Sequence, residues 1–198
     1  MEYVDAMRWP AATQAPKEMR DAWGAAIVEF VFGSLYRHHV FNADPHPGNY
    51  LFHEDGTVTF LDFGCVRHFT PERVASIVRM RNAAVSGTDE EYIDALIAMG
   101  ILREAPRDSS GLVAFARRDF SPLRAPQPFT YTKGWAADSL ESMLDFRMGK
   151  DGPARQLNMP QDMVFLVRIT AGLNSVLAGL GATVNFDELW PKILGDTA

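Results

Sequence analysis

From Phe41 to Asn49 the chain reads Phe-Asn-Ala-Asp-Pro-His-Pro-Gly-Asn, with two prolines and a glycine in nine residues. Proline has no amide hydrogen to give to a helix or a central sheet ladder, and it holds φ near about −65°. This segment is therefore a shaped loop, and the elements on either side have to hold it in place. Upstream, Trp23, Ile27, Phe30, Val31, Leu35 and His38 recur at spacings of three and four, which predicts one long helix from Lys17 to near His39. Downstream, Tyr50-Leu51-Phe52 and Val58-Thr59-Phe60-Leu61 flank Glu54-Asp55-Gly56. An Asp-Gly turn between two short apolar runs predicts a β-hairpin. Asp62-Phe63-Gly64 follows directly on its second strand.

The remainder is helical in pattern. Thr70-Pro71-Glu72 has the form of a helix start, with Thr70 as N-cap and Pro71 at the first helical position. A second helix is expected from Thr88 or Asp89 to the stop at Gly100. Ser121 to Pro128 holds three prolines and reads as a loop, as does the polar connector from Pro10 to Pro16. Further helices are expected at Ala136 to Met148, Pro160 to Leu180 and Phe186 to Leu194. The expected class is α+β, mainly α, with one small β-hairpin between two acidic loops.

A chain of 198 residues suffices for one domain or for a large lobe of a bigger one. Its formal net charge of −6 gives no electrostatic basis for nucleic acid as the main partner, because phosphate backbones are bound by basic surface. Nucleotides stay open, since a magnesium ion can bridge acidic side chains to phosphates. The single cysteine, Cys65, allows no intrachain disulfide, and the expected setting is reducing and cytoplasmic. Cys65 itself reads as a small buried residue. Met1 is followed by Glu2 and Asp5, not by a basic and then an apolar stretch, so no signal peptide is expected.

Met163 to Leu180 is the most apolar segment, but Arg168 and Asn174 interrupt it, which favours a buried helix over a membrane span. Its stripe of Phe165, Leu166, Ile169, Leu173, Val176 and Leu177 reads as core, with a lipid or partner groove as the lesser reading. His38, His39, His53 and His68 make no metal-ligand spacing. Arg79, Arg81, Arg117 and Arg118 read as solvated helix faces.

The chemistry concentrates at the ends of the hairpin. Asn49 enters its first strand and Asp62 leaves its second, so the turn should bring the two within a few ångströms. A carboxylate and an amide oxygen are hard ligands, and together they suit Mg²⁺ shared with substrate phosphates. Asp44, held among prolines, is placed to accept a hydroxyl proton or orient a nucleophile. An aspartate before a proline is by itself an ordinary turn residue; the company of Asn49 and Asp62 makes it a catalytic candidate.

Asp44-x-x-x-x-Asn49 followed by Leu61-Asp62-Phe63-Gly64 resembles the catalytic loop and metal-binding Asp-Phe-Gly of protein kinases. The longer run Ala43-Asp44-Pro45-His46-Pro47-Gly48-Asn49 more closely resembles the ABC1/AarF/UbiB family of atypical kinases, whose eukaryotic branch includes the coenzyme Q8 proteins. The resemblance spans roughly Met1 to Leu102. It implies a protein-kinase-like C-terminal lobe, with Asp44 as the catalytic aspartate, Asn49 and Asp62 as the metal ligands, and His46 where protein kinases carry a lysine. It also implies a hinge at Met1 to Val4, in which Glu2 and Val4 receive the adenine. The implied cofactors are ATP or ADP and Mg²⁺. Implied partners are isoprenoid lipid or proteins of quinone biosynthesis, with peripheral contact at a membrane.

Residues 1–16 then form the hinge-like segment and connector, 17–102 the catalytic core, and 103–198 the helical remainder of the same lobe. Asn42 departs from the family, which commonly has histidine two residues before the catalytic aspartate. The glycine- or alanine-rich nucleotide loop, the strand lysine, its partner glutamate and the Lys-x-Gly-Gln motif belong before the hinge and do not occur in this sequence. The N-terminal lobe is thus expected to be missing or supplied elsewhere.

Three other readings stay open. The chain is a truncated pseudokinase serving as a binding module, or a transferase like the aminoglycoside and choline kinases, whose catalytic loop has the same Asp-x-His-x-x-Asn form. A metal-dependent hydrolase built on Asp44, His46 and Asp62 is the third, and it lacks a further ligand at a convincing spacing.

Overall fold

The computed structural model describes residues 4–42, 44–106, 108–148 and 157–195, and of 142–148 the backbone only. The chain divides into two units. The described residues of 1–69, 127–136 and 168–198 form the first, and those of 70–126 and 137–167 the second.

Helix α2, Lys17–His38, is the axis of the first unit. Trp23, Ile27, Val28, Val31 and Leu35 are almost fully buried, so the three-four repeat in the sequence is its core face. The helix stops at His39, whose left-handed φ of 57° turns the chain while its N–H caps the Leu35 carbonyl at 3.0 Å. It packs on α9 (Phe186–Leu194) and on β6 (Thr183–Val184), which pairs with β5 (Phe129–Thr130). Gly24 permits the approach of this last segment, since a Cβ there would lie 2.5 Å from the Ala182 Cβ. Arg168–Leu180, the part of α8 (Gln161–Leu180) in this unit, buries Ile169, Leu173, Val176, Leu177 and Leu180. The apolar stripe is core, as expected, although α8 is also long and apolar enough to cross a membrane.

Two antiparallel ladders stand on α2. Strand β2 (Tyr50–Phe52) pairs with β3 (Val58–Phe60), with Leu51 opposite Thr59. This is the hairpin the Asp-Gly signal predicts. Asp55 accepts from the Thr57 N–H at 2.9 Å, and Gly56 takes a φ of 84° that a side chain would strain. The Trp23 indole donates to the His53 carbonyl at 2.8 Å, and Phe30 stacks on Phe60 with centroids 3.7 Å apart, which seats the hairpin on the helix. Burial of Trp23 and Phe52 contributes about 2–3 kcal/mol each.

The second ladder, β1 (Val40–Asn42) with β4 (Val66–His68), has no counterpart in the sequence reading. The expectation of a single small hairpin is thereby extended to three two-stranded sheets among the described residues. Each added strand is two or three residues long, too short for an alternating pattern to register. The connector expected from Pro10 holds a short helix, α1 (Trp9–Ala12), started by Pro10 near its N-terminus. Trp9 packs on Phe52, with centroids 6.1 Å apart.

In the second unit α3 (Pro71–Ser86) starts as expected, with the Thr70 hydroxyl accepting from the Arg73 N–H at 3.2 Å. Helix α4 (Asp89–Ala98) opens on a reciprocal capping box between Thr88 and Glu91. It ends at Gly100, where φ is 74°. Helix α5 (Ser110–Arg118) follows, and the expected loop after it begins with one helical turn, α6 (Ser121–Arg124), again begun by a proline. Helix α7 (Lys133–Met148) starts three residues before the expected Ala136, because the Thr132 hydroxyl caps it through the Trp135 N–H at 3.1 Å. Arg117 is not solvated. Its side chain is 14% exposed, and it bridges Asp89 at 2.5 Å while donating to the carbonyls of Gly87 and Thr88.

Candidate functional site

The two ladders share their loops. The loop carrying Asp44 to Asn49 lies between β1 and β2, and residues 61–65 connect β3 to β4. Since β1 pairs with β4 and β2 with β3, both ends of the first loop are held opposite both ends of the second. At one end Asn42 stands across from Val66. At the other the Leu61 N–H donates to the Asn49 carbonyl at 2.9 Å, which puts Asp62 one residue beyond Asn49's partner. The convergence expected from a tight hairpin is thus built by two ladders, one on each side.

The loop holding Asp44 is braced from within. The Asn49 amide donates to the Asp44 carboxylate at 3.0 Å and contacts the Asp44 carbonyl at 3.3 Å. Pro47–Asn49 forms a short 3₁₀ turn, and its N-cap His46 accepts from the Gly48 N–H through Nδ1 at 3.1 Å. That bond places the proton of the neutral imidazole on Nε2, leaving an exposed donor. From below, Pro45 rests on Gly172 of α8; a Cβ at Gly172 would lie 2.6 Å from the proline Cγ. Asp44 and Asn49 are half-buried.

Asp62 is exposed, and its Oδ1 accepts from the Gly64 N–H at 2.7 Å, which closes the turn. Leu61 and Phe63 beside it are 47% and 55% exposed. Cys65, expected to be buried, is exposed on the same turn, because it belongs to the five residues, 61–65, that pass from β3 to β4, and ladder pairing resumes only at Val66. Tyr50, next to Asn49, is buried, and burial followed by the nearby Asp44 charge raises its phenol well above the ordinary range.

Of the other candidates, Glu2 lies outside the described residues. Val4 is half-buried in the lead-in to Met7, which exchanges two main-chain hydrogen bonds of 2.9 Å with Phe52 of β2. Among the described residues no hydrogen bond joins Val4 to the two loops. Likewise, no group of three or more His, Cys, Asp or Glu side chains among them converges as a metal site.

A sequence model of the ABC1 atypical kinase-like domain matches residues 1–96, the segment that holds both loops and both ladders. Over that segment the chain is similar to the ABC1 atypical kinase-like family. The chain is 27% identical over 196 residues to the uncharacterized protein sll1770 of Synechocystis, a match covering 94% of this chain and 31% of that protein. An uncharacterized aarF domain-containing protein kinase of Arabidopsis thaliana, At1g71810, is 46% identical over 67 residues, or 33% of this chain and 10% of its own length. The chain therefore spans less than a third of these relatives.

Among solved structures, the erythromycin complex of Rv3197 from Mycobacterium tuberculosis superposes with a TM-score of 0.79 at 21% identity. That likeness covers 98% of this chain and 48% of the other, and at such identity it concerns the fold. The ABC1 segment and the helices that follow it have the fold of a protein-kinase-like C-terminal lobe, mainly helical with small sheets.

Three residues at the site escaped the sequence reading. Asn42 was visible only as a departure from the family pattern, and Tyr50 only as a strand residue. Gly172 is a glycine inside the apolar run Met163 to Leu180, and a glycine within a helical pattern is the signal for a close approach.

Proposed function

We propose that this chain is the catalytic lobe of an ATP- and Mg²⁺-dependent kinase-like phosphotransferase or ATPase that acts in isoprenoid-quinone metabolism. The observation that carries the reading is the pairing of the Asp44–Asn49 loop with the Asp62 turn across two ladders. Phosphoryl transfer requires positioning and charge neutralisation more than covalent work by the protein, and rigid facing loops provide that positioning.

The donor set fits a magnesium ion. Asn49 commits its amide nitrogen to Asp44, which leaves Oδ1 as the atom offered to a cation. Asp62 commits Oδ1 to Gly64 and retains Oδ2. Two protein oxygens, with no cluster of three acidic, thiol or imidazole ligands among the described residues, match an ion that completes its shell with phosphate oxygens and water. When bound, Mg²⁺ would offset the negative charge of the phosphates at the transferred group.

In this reading the Asp44 carboxylate, held by Asn49, accepts the proton of an incoming hydroxyl or water. The exposed Nε2–H of His46 donates to a phosphate oxygen. Glu2 and Val4 are assigned to the adenine end, as the ABC1 pattern implies. A second lobe, from a longer chain or from another one, would cover the nucleotide. The isoprenoid-quinone lipid or its processing proteins, and work at the cytoplasmic face of a membrane, come from the family likeness alone.

Titration with Mn²⁺·ATP, followed through the signal of free Mn²⁺, tests the reading. Wild type should bind, and Asp62→Ala should weaken binding by a factor of about ten or more. Equal affinities in the two would remove the metal role of Asp62 and favour a binding module.

A further inference from the structure

Asn42 closes β1, and its register opposite Val66 sets it across from the Asp62 turn. Both ends of its side-chain amide are engaged. Oδ1 accepts from the Asp44 main-chain N–H at 3.2 Å, while Nδ2 donates to the Asp62 main-chain carbonyl at 3.2 Å. One half-buried side chain thus grips the backbone of both acidic residues, although they come from different loops. At the far end of the same pair of loops, the bond from Leu61 N–H to the Asn49 carbonyl makes the equivalent tie through main chain alone.

We infer that Asn42 is a positioning residue: a two-ended amide clasp that sets the spacing between Asp44 and Asp62. This rests on the reading of Asp44, Asn49 and Asp62 as a metal–nucleotide site, and it names the residue that registers the two carboxylates. The residue type follows from the geometry. One partner is a donor and the other an acceptor, and a carboxamide carries one of each at every pH. Aspartate keeps the shape and the acceptor but has no donor when ionised, and it would set a negative oxygen against the Asp62 carbonyl. Alanine loses both ends.

The test uses the full 198-residue chain with Asn42→Asp, Asn42→Ala and, as a stability control, Thr70→Ala, which removes the cap of α3. Hydrogen exchange at the Asp44 amide reads the clasp without ligand. It should stay slow in Asn42→Asp and become about tenfold faster in Asn42→Ala. Mn²⁺·ATP titration, read by the spin resonance of bound and free Mn²⁺, tests positioning. Both Asn42 variants should bind about tenfold more weakly than wild type. Thr70→Ala should lose stability yet bind as wild type does, which separates positioning from a general loss of structure. The inference falls if wild type binds and the Asn42 variants bind equally well, or if the Asp44 amide exchanges as slowly in Asn42→Ala as in wild type. If wild type itself takes up no Mn²⁺·ATP, the reading of the site fails first, and the positioning role is overturned with it.

Discussion

The Asn49 side-chain amide donates to the Asp44 carboxylate at 3.0 Å, so the proposed metal ligand and the proposed base are one hydrogen-bonded pair. Asn49→Asp would replace this donor with a second carboxylate, exchanging an attraction for a repulsion between like charges. The variant should lose about 1–2 kcal/mol of stability in metal-free buffer. It keeps an oxygen for a cation, so added Mg²⁺ should restore part of the loss, whereas Asn49→Ala should not respond. Thermal unfolding with and without Mg²⁺ checks this; an Asn49→Asp protein as stable as wild type without metal would contradict it.

Gly172 is the seat of Pro45, and two effects compete when it becomes alanine. Alanine favours the interior of a helix over glycine by about 1 kcal/mol. Forcing a methyl group to within 2.6 Å of a stiff proline ring costs about 1–3 kcal/mol unless the loop moves. The expected result is a small change in stability together with a displaced Asp44 loop, seen as Mn²⁺·ATP binding weakened by about fivefold or more. Unchanged affinity would mean that Pro45 does not set the loop position.

Arg117 holds the α3–α4 junction through Asp89 and the carbonyls of Gly87 and Thr88, and its guanidinium lies 5.5 Å from the centre of the Tyr92 ring. A lysine has the charge but not the planar fork, so it cannot meet three acceptors and a ring together. Arg117→Lys should cost about 1–2 kcal/mol and Arg117→Ala about 2–3 kcal/mol in urea unfolding. Full rescue by lysine would show that charge alone is needed there.

Tyr50 connects the site to alkaline stability. Burial, and then the Asp44 charge, raise its phenol, so the folded chain keeps a proton that the unfolded chain releases near pH of about 10. With more protons bound in the folded state, stability falls as pH rises past that point. Tyr92 and Tyr131 are raised mainly by burial and act in the same sense. Tyr50→Phe should flatten the alkaline loss, and Asp44→Asn should let Tyr50 ionise at a lower pH, read from phenolate absorbance. An Asp44→Asn protein with an unchanged tyrosine titration would exclude the coupling.

The sequence by itself determined the local pieces: the long helix from Lys17, the hairpin around Asp55-Gly56, the Thr70 and Thr88 helix starts, and the proline-bound loop carrying Asp44 and Asn49. Each depends on neighbours within a few residues, and periodicity, capping and turn chemistry act over that range. Only the tertiary structure decided that β1 would pair with β4, that Asn42 would span Asp44 and Asp62, that Pro45 would rest on Gly172, and that Arg117 would be turned inward. Apart from the local bond between Asn42 and Asp44, these contacts join residues from 20 to well over a hundred positions apart, such as Pro45 and Gly172, and three-residue strands carry too little pattern to announce a partner. The acidic and amide groups of the site could be read from the chain, but the framework that spaces them exists only once α2, α8 and the two ladders have packed.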